Sequence, residues 1–112
     1  MGAKLIRDKV PNFPWSDEEG KKFIRKVRDE DEALSLAMAK LFEEIGELYA
    51  AVVDSDDAML EEFADVYTAL LNLLKASAFA FEDLLKKYEE KLESHGGFEE
   101  GWVWDHSKYM GG

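Results

Sequence analysis

The sequence predicts an all-α fold: an antiparallel helical bundle completed by oligomerisation. Three observations carry this. Apolar residues recur at spacings of three and four over two long stretches, and one short polar turn separates the stretches. Each stretch also presents an apolar face too wide for one short third helix to cover, so a second subunit is the natural cover.

The elements follow in order. Pro11, Pro14 and Gly20 keep the first twenty residues from being one long helix, leaving short helices over Leu5 to Val10 or Asp17 to Lys22 open. Phe23 to Val27 alternates apolar and basic residues, as an extended segment would. From about Asp29 the period becomes helical, with Leu34, Met38, Leu41, Ile45, Leu48 and Val52 forming a stripe to be buried. The spacing predicts a helix from about Glu30 to Val53. Asp54-Ser55-Asp56-Asp57 then supplies a turn with several N-cap residues. A second helix is predicted from about Asp57 to Ala76, burying Met59, Phe63, Val66, Leu70, Leu73 and Leu74. So short a connection makes the two helices antiparallel neighbours. A third, from Phe81 or Glu82 to Ser94, is closed by His95-Gly96-Gly97, since glycine readily takes the left-handed cap conformation. Phe98, Trp102, Trp104 and Tyr109 read as a tail that packs against this chain or a partner. The whole is read as one domain over 1–112: a basic segment 1–28, a helical core 29–95 and an aromatic, acidic tail 96–112.

Composition excludes several classes. The 112 residues contain no cysteine, which removes disulfides, zinc-thiolate sites and thiol catalysis. No apolar run is long enough to span a membrane, and Lys4, Arg7, Asp8 and Lys9 stand where a signal peptide needs apolar residues. The reading is a soluble cytoplasmic protein. A net charge of −11 argues against a nucleic-acid polymer as partner. The acidity is one block: residues 29–65 hold 13 acids against the single base Lys40, whereas residues 1–28 hold 8 bases against 4 acids. A site needing both metal ligands and phosphate-neutralising cations can draw on the two adjacent segments.

Within the acidic block stand two motifs, Glu43-Glu44-Ile45-Gly46-Glu47 and Glu61-Glu62-Phe63-Ala64-Asp65. On helices, Glu44 and Glu47 flank the first apolar stripe about 60° apart, and Glu62 and Asp65 do the same on the second. Asn72 lies nearly on the line of Asp65, and alanines at 33, 37, 51, 69 and 76 lie beside the acids, letting something approach the backbone closely. A solvated acidic face would interleave Lys or Arg, because such pairs stabilise a helix by ~0.2 to 0.5 kcal/mol each. Only Lys40 does so here. Carboxylates crowded without counter-ions have raised pKa values, and a divalent cation reverses that penalty. All-oxygen ligands select Mg²⁺ or Mn²⁺ over zinc.

These residues resemble a family. Lys40-Leu41-Phe42-Glu43-Glu44-Ile45-Gly46-Glu47-Leu48, followed by Glu61-Glu62-x-x-Asp65 and Asn72, is similar to the all-α nucleoside triphosphate pyrophosphohydrolases, the MazG-like and phosphoribosyl-ATP pyrophosphohydrolase-like proteins. The opening Leu5-Ile6-Arg7-Asp8-Lys9-Val10-Pro11, with Lys91 and Gly96-Gly97-Phe98, resembles a small MazG-like branch, so the likeness runs from residue 5 to about 98. It implies a helical bundle whose Glu44, Glu47, Glu62 and Asp65 hold Mg²⁺, with Glu43 a further ligand or water-orienting base beside Glu44. It also implies cleavage of a nucleotide between its α- and β-phosphates, giving a monophosphate and pyrophosphate. Asn72 matches a position near the nucleotide, and Lys91 is the phosphate cation expected from the last helix.

The chain departs from that branch twice. His95 stands where arginine is usual, making one phosphate contact weaker or pH-dependent, or serving only the helix dipole. Glu99-Glu100-Gly101-Trp102 replaces basic residues, and such a tail suits another substrate, a cover for the site or a subunit interface. Arg7 and Lys9 reach phosphate or are solvated. Trp15, Trp102 and Trp104 read as packing residues rather than base-stacking ones, and His106 has no assigned role. Nucleotide substrate and a homodimer or homotetramer are the expected partners. The alternatives are a dedicated phosphoribosyl-ATP hydrolase and a non-catalytic helical interaction protein that keeps the scaffold.

Overall fold

Polar side chains at their starts set where the first two helices begin. In the computed structural model, which describes residues 2–9 and 23–107, the Asp29 side chain accepts from the Glu32 backbone N–H at 2.8 Å. The Ser55 hydroxyl likewise accepts from the Ala58 N–H at 3.1 Å. Each satisfies one of the N–H groups that a helix start leaves without an internal partner. The resulting helices are α1 (Glu30–Ala51), α2 (Asp56–Ala76) and α3 (Phe81–His95), with no strand among the described residues. Acids crowd the first turns of α1 and α2, where the helix dipole favours them.

The end of α1 falls short of the Val53 that the pattern predicts, while α2 ends at Ala76 as predicted but with an unusual cap. Past Ala51 the helix gives way to a turn in which the Asp54 N–H donates to the Ala51 carbonyl at 3.0 Å. At the end of α2, Ala78 takes a left-handed φ of 65°. Its N–H donates to the Lys75 carbonyl at 2.9 Å, and the Phe79 N–H donates to the Leu74 carbonyl at 3.1 Å. That pair of bonds is a Schellman cap, with alanine where glycine is usual. Gly96, with φ 74°, closes α3 as expected, its N–H reaching the Leu92 carbonyl at 2.9 Å.

Residues 2–9 are not helical, and Phe23 to Val27 pairs with no strand among the described residues. The possible helix Asp17 to Lys22 lies outside the described residues, as do Trp15 and Tyr109. Instead of pairing, the segment before α1 is clamped to it. Arg25 meets both oxygens of Glu32 at 2.8 Å, and Arg28 reaches Oε2 of the same carboxylate at 2.8 Å. Bidentate geometry of this kind is the stronger form of an ion pair. The guanidinium of Arg25, then that of Arg28, hold the Glu32 carboxyl far below the usual carboxylate range.

The chain divides into two compact units, Met1–Phe81 and Glu82–Gly112. In the first, α1 and α2 pack as a hairpin. Its seam differs from the expected stripe. Ala37 is 0 % and Ala69 5 % exposed, whereas Ile45 keeps 45 % and Phe63 50 % of their surface. At about 100° per residue, Ile45 lies about 80° round from Ala37, and Phe63 about 120° round from Ala69 in the same sense. Small side chains at the seam let the helices approach closely. In an antiparallel pair, equal rotation senses put both apolar arcs on one face of the hairpin. Lys40, Glu47, Asp65 and Asn72 fall on the opposite side of the seam. Among the described residues, no large side chain is fully buried.

The second unit comprises nearly all of α3 and the segment after it. Leu84 is half-buried, while Leu85, Tyr88 and Leu92 are exposed. Trp102 and Trp104 are also exposed, and Trp104 meets the His106 ring edge-on at a centroid distance of 6.1 Å. No helix among the described residues is long and apolar enough to cross a membrane.

Candidate metal and nucleotide site

The seam carries a charge. Glu44 lies about 20° from the line of Ala37, because seven residues nearly complete two turns, and it is only 7 % exposed. Glu47 follows one turn later, and Glu62, about 20° from the line of Ala69, comes in from α2. Glu44, Glu47 and Glu62 each offer an oxygen within 4.8 Å of the others. Oε2 of Glu44 and Oε2 of Glu62 are buried with no hydrogen-bond partner. A buried carboxylate oxygen without a donor is costly. Three acids from two helices, two of them with an unpartnered oxygen, fit a hard divalent cation.

The electrostatics agree. Burial first, and then the neighbouring charge of Glu47, push the Glu44 carboxyl above the usual carboxylate range. Lys40 offsets part of this, and Asp65 adds to it. For Glu43 burial works the same way, but the charges of Lys40 and Lys4 outweigh it and hold its carboxyl below the usual range. Lys40 Nζ stands 3.4 Å from Glu43 Oε2 and 3.4 Å from Glu44 Oε1, and Lys4 Nζ stands 3.4 Å from Glu43 Oε1.

Beside the cluster runs a cleft of about 430 Å³. Its wall comprises Lys40 and Glu44 from α1, Asp65, Thr68, Ala69 and Asn72 from α2, and residues 5–9 of the N-terminal segment. Glu44 belongs to both cluster and cleft. The cleft thus sets three cations (Arg7, Lys9 and Lys40), an amide and a hydroxyl next to the carboxylates, a lining suited to phosphate oxygens.

Of the residues expected from sequence, Glu44, Glu47 and Glu62 come together as one cluster, and Arg7, Lys9 and Asn72 line the cleft with Glu44. Asp65 lines it too, but its carboxylate is engaged by the Arg7 guanidinium. Glu43 lies on the cation-paired side of α1. Lys91 and His95 belong to the second unit and are exposed; His95 Nδ1 lies 2.7 Å from the Ser94 hydroxyl.

Sequence reasoning missed three residues. Lys40 was visible as the lone base on an acidic face and as the first residue of the family-like motif, and both were signals. Thr68 stands three residues after Asp65 and four before Asn72, which is the spacing of one helix face. Nothing in the sequence pointed to Lys4.

The comparisons with known proteins bear on this arrangement. No curated protein and no solved structure matches the chain. A family model, the MazG nucleotide pyrophosphohydrolase domain, matches residues 32–95, which is more than half of the chain and spans both acidic motifs. With an all-α hairpin that joins those motifs beside a cation-lined cleft, the chain belongs to the MazG nucleotide pyrophosphohydrolase family.

Proposed function

We propose that the protein is a Mg²⁺-dependent nucleoside triphosphate pyrophosphohydrolase, forming a monophosphate and pyrophosphate by attack of water on the α-phosphate. The observation that carries this is the buried, unpartnered Oε2 of Glu44, set in a three-glutamate cluster that shares a wall with the cation-lined cleft. Glu44, Glu47 and Glu62, joined by Asp65, would hold the ion, with Mn²⁺ as a substitute. When bound, it supplies positive charge to the phosphate oxygens and acidity to the attacking water.

The remaining roles fall to this chain's own groups. Glu43, kept ionised by Lys40 and Lys4, orients water and receives its proton as oxygen bonds to the α-phosphorus. Glu44, next to it on the helix, would be the second carboxylate able to take that proton. The bond from the α-phosphorus to the bridging oxygen breaks, and pyrophosphate leaves. Arg7, Lys9 and Lys40 neutralise the phosphates, and the Asn72 amide hydrogen-bonds the nucleotide. By the family resemblance alone, Lys91 and His95 are proposed as further substrate-binding residues.

The exposed apolar face, with Ile45 and Phe63 among its members, supports a homodimer or homotetramer in which a second hairpin covers it. The test is a panel of nucleoside triphosphates with Mg²⁺, assayed for pyrophosphate. Turnover that disappears in Glu62→Gln and Asp65→Asn supports the reading. No release from any nucleotide, together with no thermal stabilisation by Mg²⁺, overturns it.

A further inference from the structure

Arg7 and Asp65 are paired with each other. Asp65 is the fourth carboxylate of the two acidic motifs, and Arg7 is a cation of the nucleotide cleft. Neither is deeply enclosed: the two side chains are 51 % and 32 % exposed, so the pair can open without unfolding the hairpin. Lys4, three residues before Arg7, rests on Glu43. The N-terminal segment therefore lies over the polar side of the hairpin, held by cations on two of its acids.

We infer that Arg7 and the divalent ion compete for Asp65, so that metal binding releases Arg7 from the carboxylate to meet the substrate phosphates. This rests on the metal-dependent reading of the site proposed above. Without the ion, Asp65 adds to the repulsion on Glu44, and the Arg7 guanidinium neutralises it. With the ion beside Glu44, Glu47 and Glu62, the positive charge is supplied from the other side. Arg7 is then a like charge next to the cation, and phosphate becomes its better partner. The exchange orders the events, since a metal-free site holds its arginine on a carboxylate and away from the nucleotide. Arg7 is thus a positioning group for the metal-free site and a phosphate ligand for the loaded one.

The test uses Mn²⁺ binding to the full chain by calorimetry, without nucleotide. A half-exposed ion pair is worth little, so Arg7→Gln should tighten Mn²⁺ roughly two- to fivefold. Lys9→Gln removes a cation from the same cleft wall without touching Asp65, and it should have a smaller effect. In an Asp65→Asn background, Arg7→Gln should have no more effect than Lys9→Gln, since there is no carboxylate left to contest. With Mn²⁺ saturating, the same Arg7→Gln should weaken a non-hydrolysable nucleoside triphosphate by about tenfold, the scale of one charge-assisted phosphate contact. This opposite movement of metal and nucleotide affinity is what a merely structural pair would not produce. Equal effects of Arg7→Gln and Lys9→Gln on Mn²⁺, or the same effect with and without Asp65, overturn the exchange alone. Absence of Mn²⁺ binding to the unaltered protein overturns the metal reading beneath it.

Discussion

Lys40 Nζ lies 3.4 Å from Oε1 of Glu44, while Oε2 of the same carboxylate is buried without a hydrogen-bond partner. One acid is thus divided between a lysine on its own helix and the glutamates that converge on the seam. The division follows from helix geometry, since a residue four before Glu44 lies one turn back on the same face. Its side chain, only 20 % exposed, is held between Glu43 and Glu44.

Replacing Lys40 by methionine keeps the length of the side chain and removes its charge. Two acids then lose their only cation from α1, and the metal-free protein should lose about 1 to 2 kcal/mol, between the values for exposed and buried pairs. Differential scanning fluorimetry at pH 8 should show a lower Tm without metal and a larger upward shift with Mg²⁺ than the unaltered protein gives. An unchanged metal-free Tm would mean that Lys40 is solvated rather than paired.

Glu44→Gln should have a pH-dependent effect of predictable sign. The folded-state pKa of Glu44 is raised by burial and by Glu47, so the unfolded chain gives up this proton first as pH rises. The stabilisation linked to that proton is present below the unfolded value, about 4.3, and is lost as pH rises through the raised folded value. Without metal, Glu44→Gln should therefore melt a few degrees higher than the unaltered protein at pH 8, and the advantage should vanish near pH 4. Saturating Mg²⁺ should reverse the order at pH 8, since the variant lacks a ligand.

Ala78 holds a left-handed conformation at φ 65° to complete the cap of α2. A Cβ in that region costs roughly 1 to 2 kcal/mol, which glycine avoids. Ala78→Gly should raise stability by about 1 kcal/mol after the glycine's greater unfolded-state entropy is deducted, with Mg²⁺ affinity unchanged. Urea unfolding measures the first and calorimetry the second.

Phe63 is half exposed on the apolar side of the hairpin. If a second copy covers that side, Phe63→Arg should shift the protein toward monomer in light scattering after gel filtration. It should also lower Tm in a concentration-dependent way. A monomeric unaltered protein would refute this reading of the face.

The helices were legible because their signals are local. The period of three and four, Ser55 among the acids of the turn, and Gly96 after α3 each act within a few residues, and each lies where the pattern put it. The Ala78 cap was not legible, because the geometry that favours glycine is there filled by alanine. Glu44, Glu47 and Glu62 were legible as a group because two helices joined by so short a turn must be antiparallel neighbours.

The sequence by itself determined the all-α class, the order and approximate extent of the three helices and the pairing of the two acidic motifs, since periodicity and turn length act along the chain. Only the tertiary structure decided which side of each helix meets the other. The seam runs through Ala37, Glu44 and Ala69 rather than through Ile45 and Phe63, because small side chains allow the closest approach. It also decided that Arg7 rests on Asp65 and that Lys40 takes one oxygen of Glu44 while the other is buried without a partner. The first contact joins residues 58 apart in sequence, a distance over which no local pattern carries information. The second was within local reach, but its meaning depended on where Glu62 came in from the other helix.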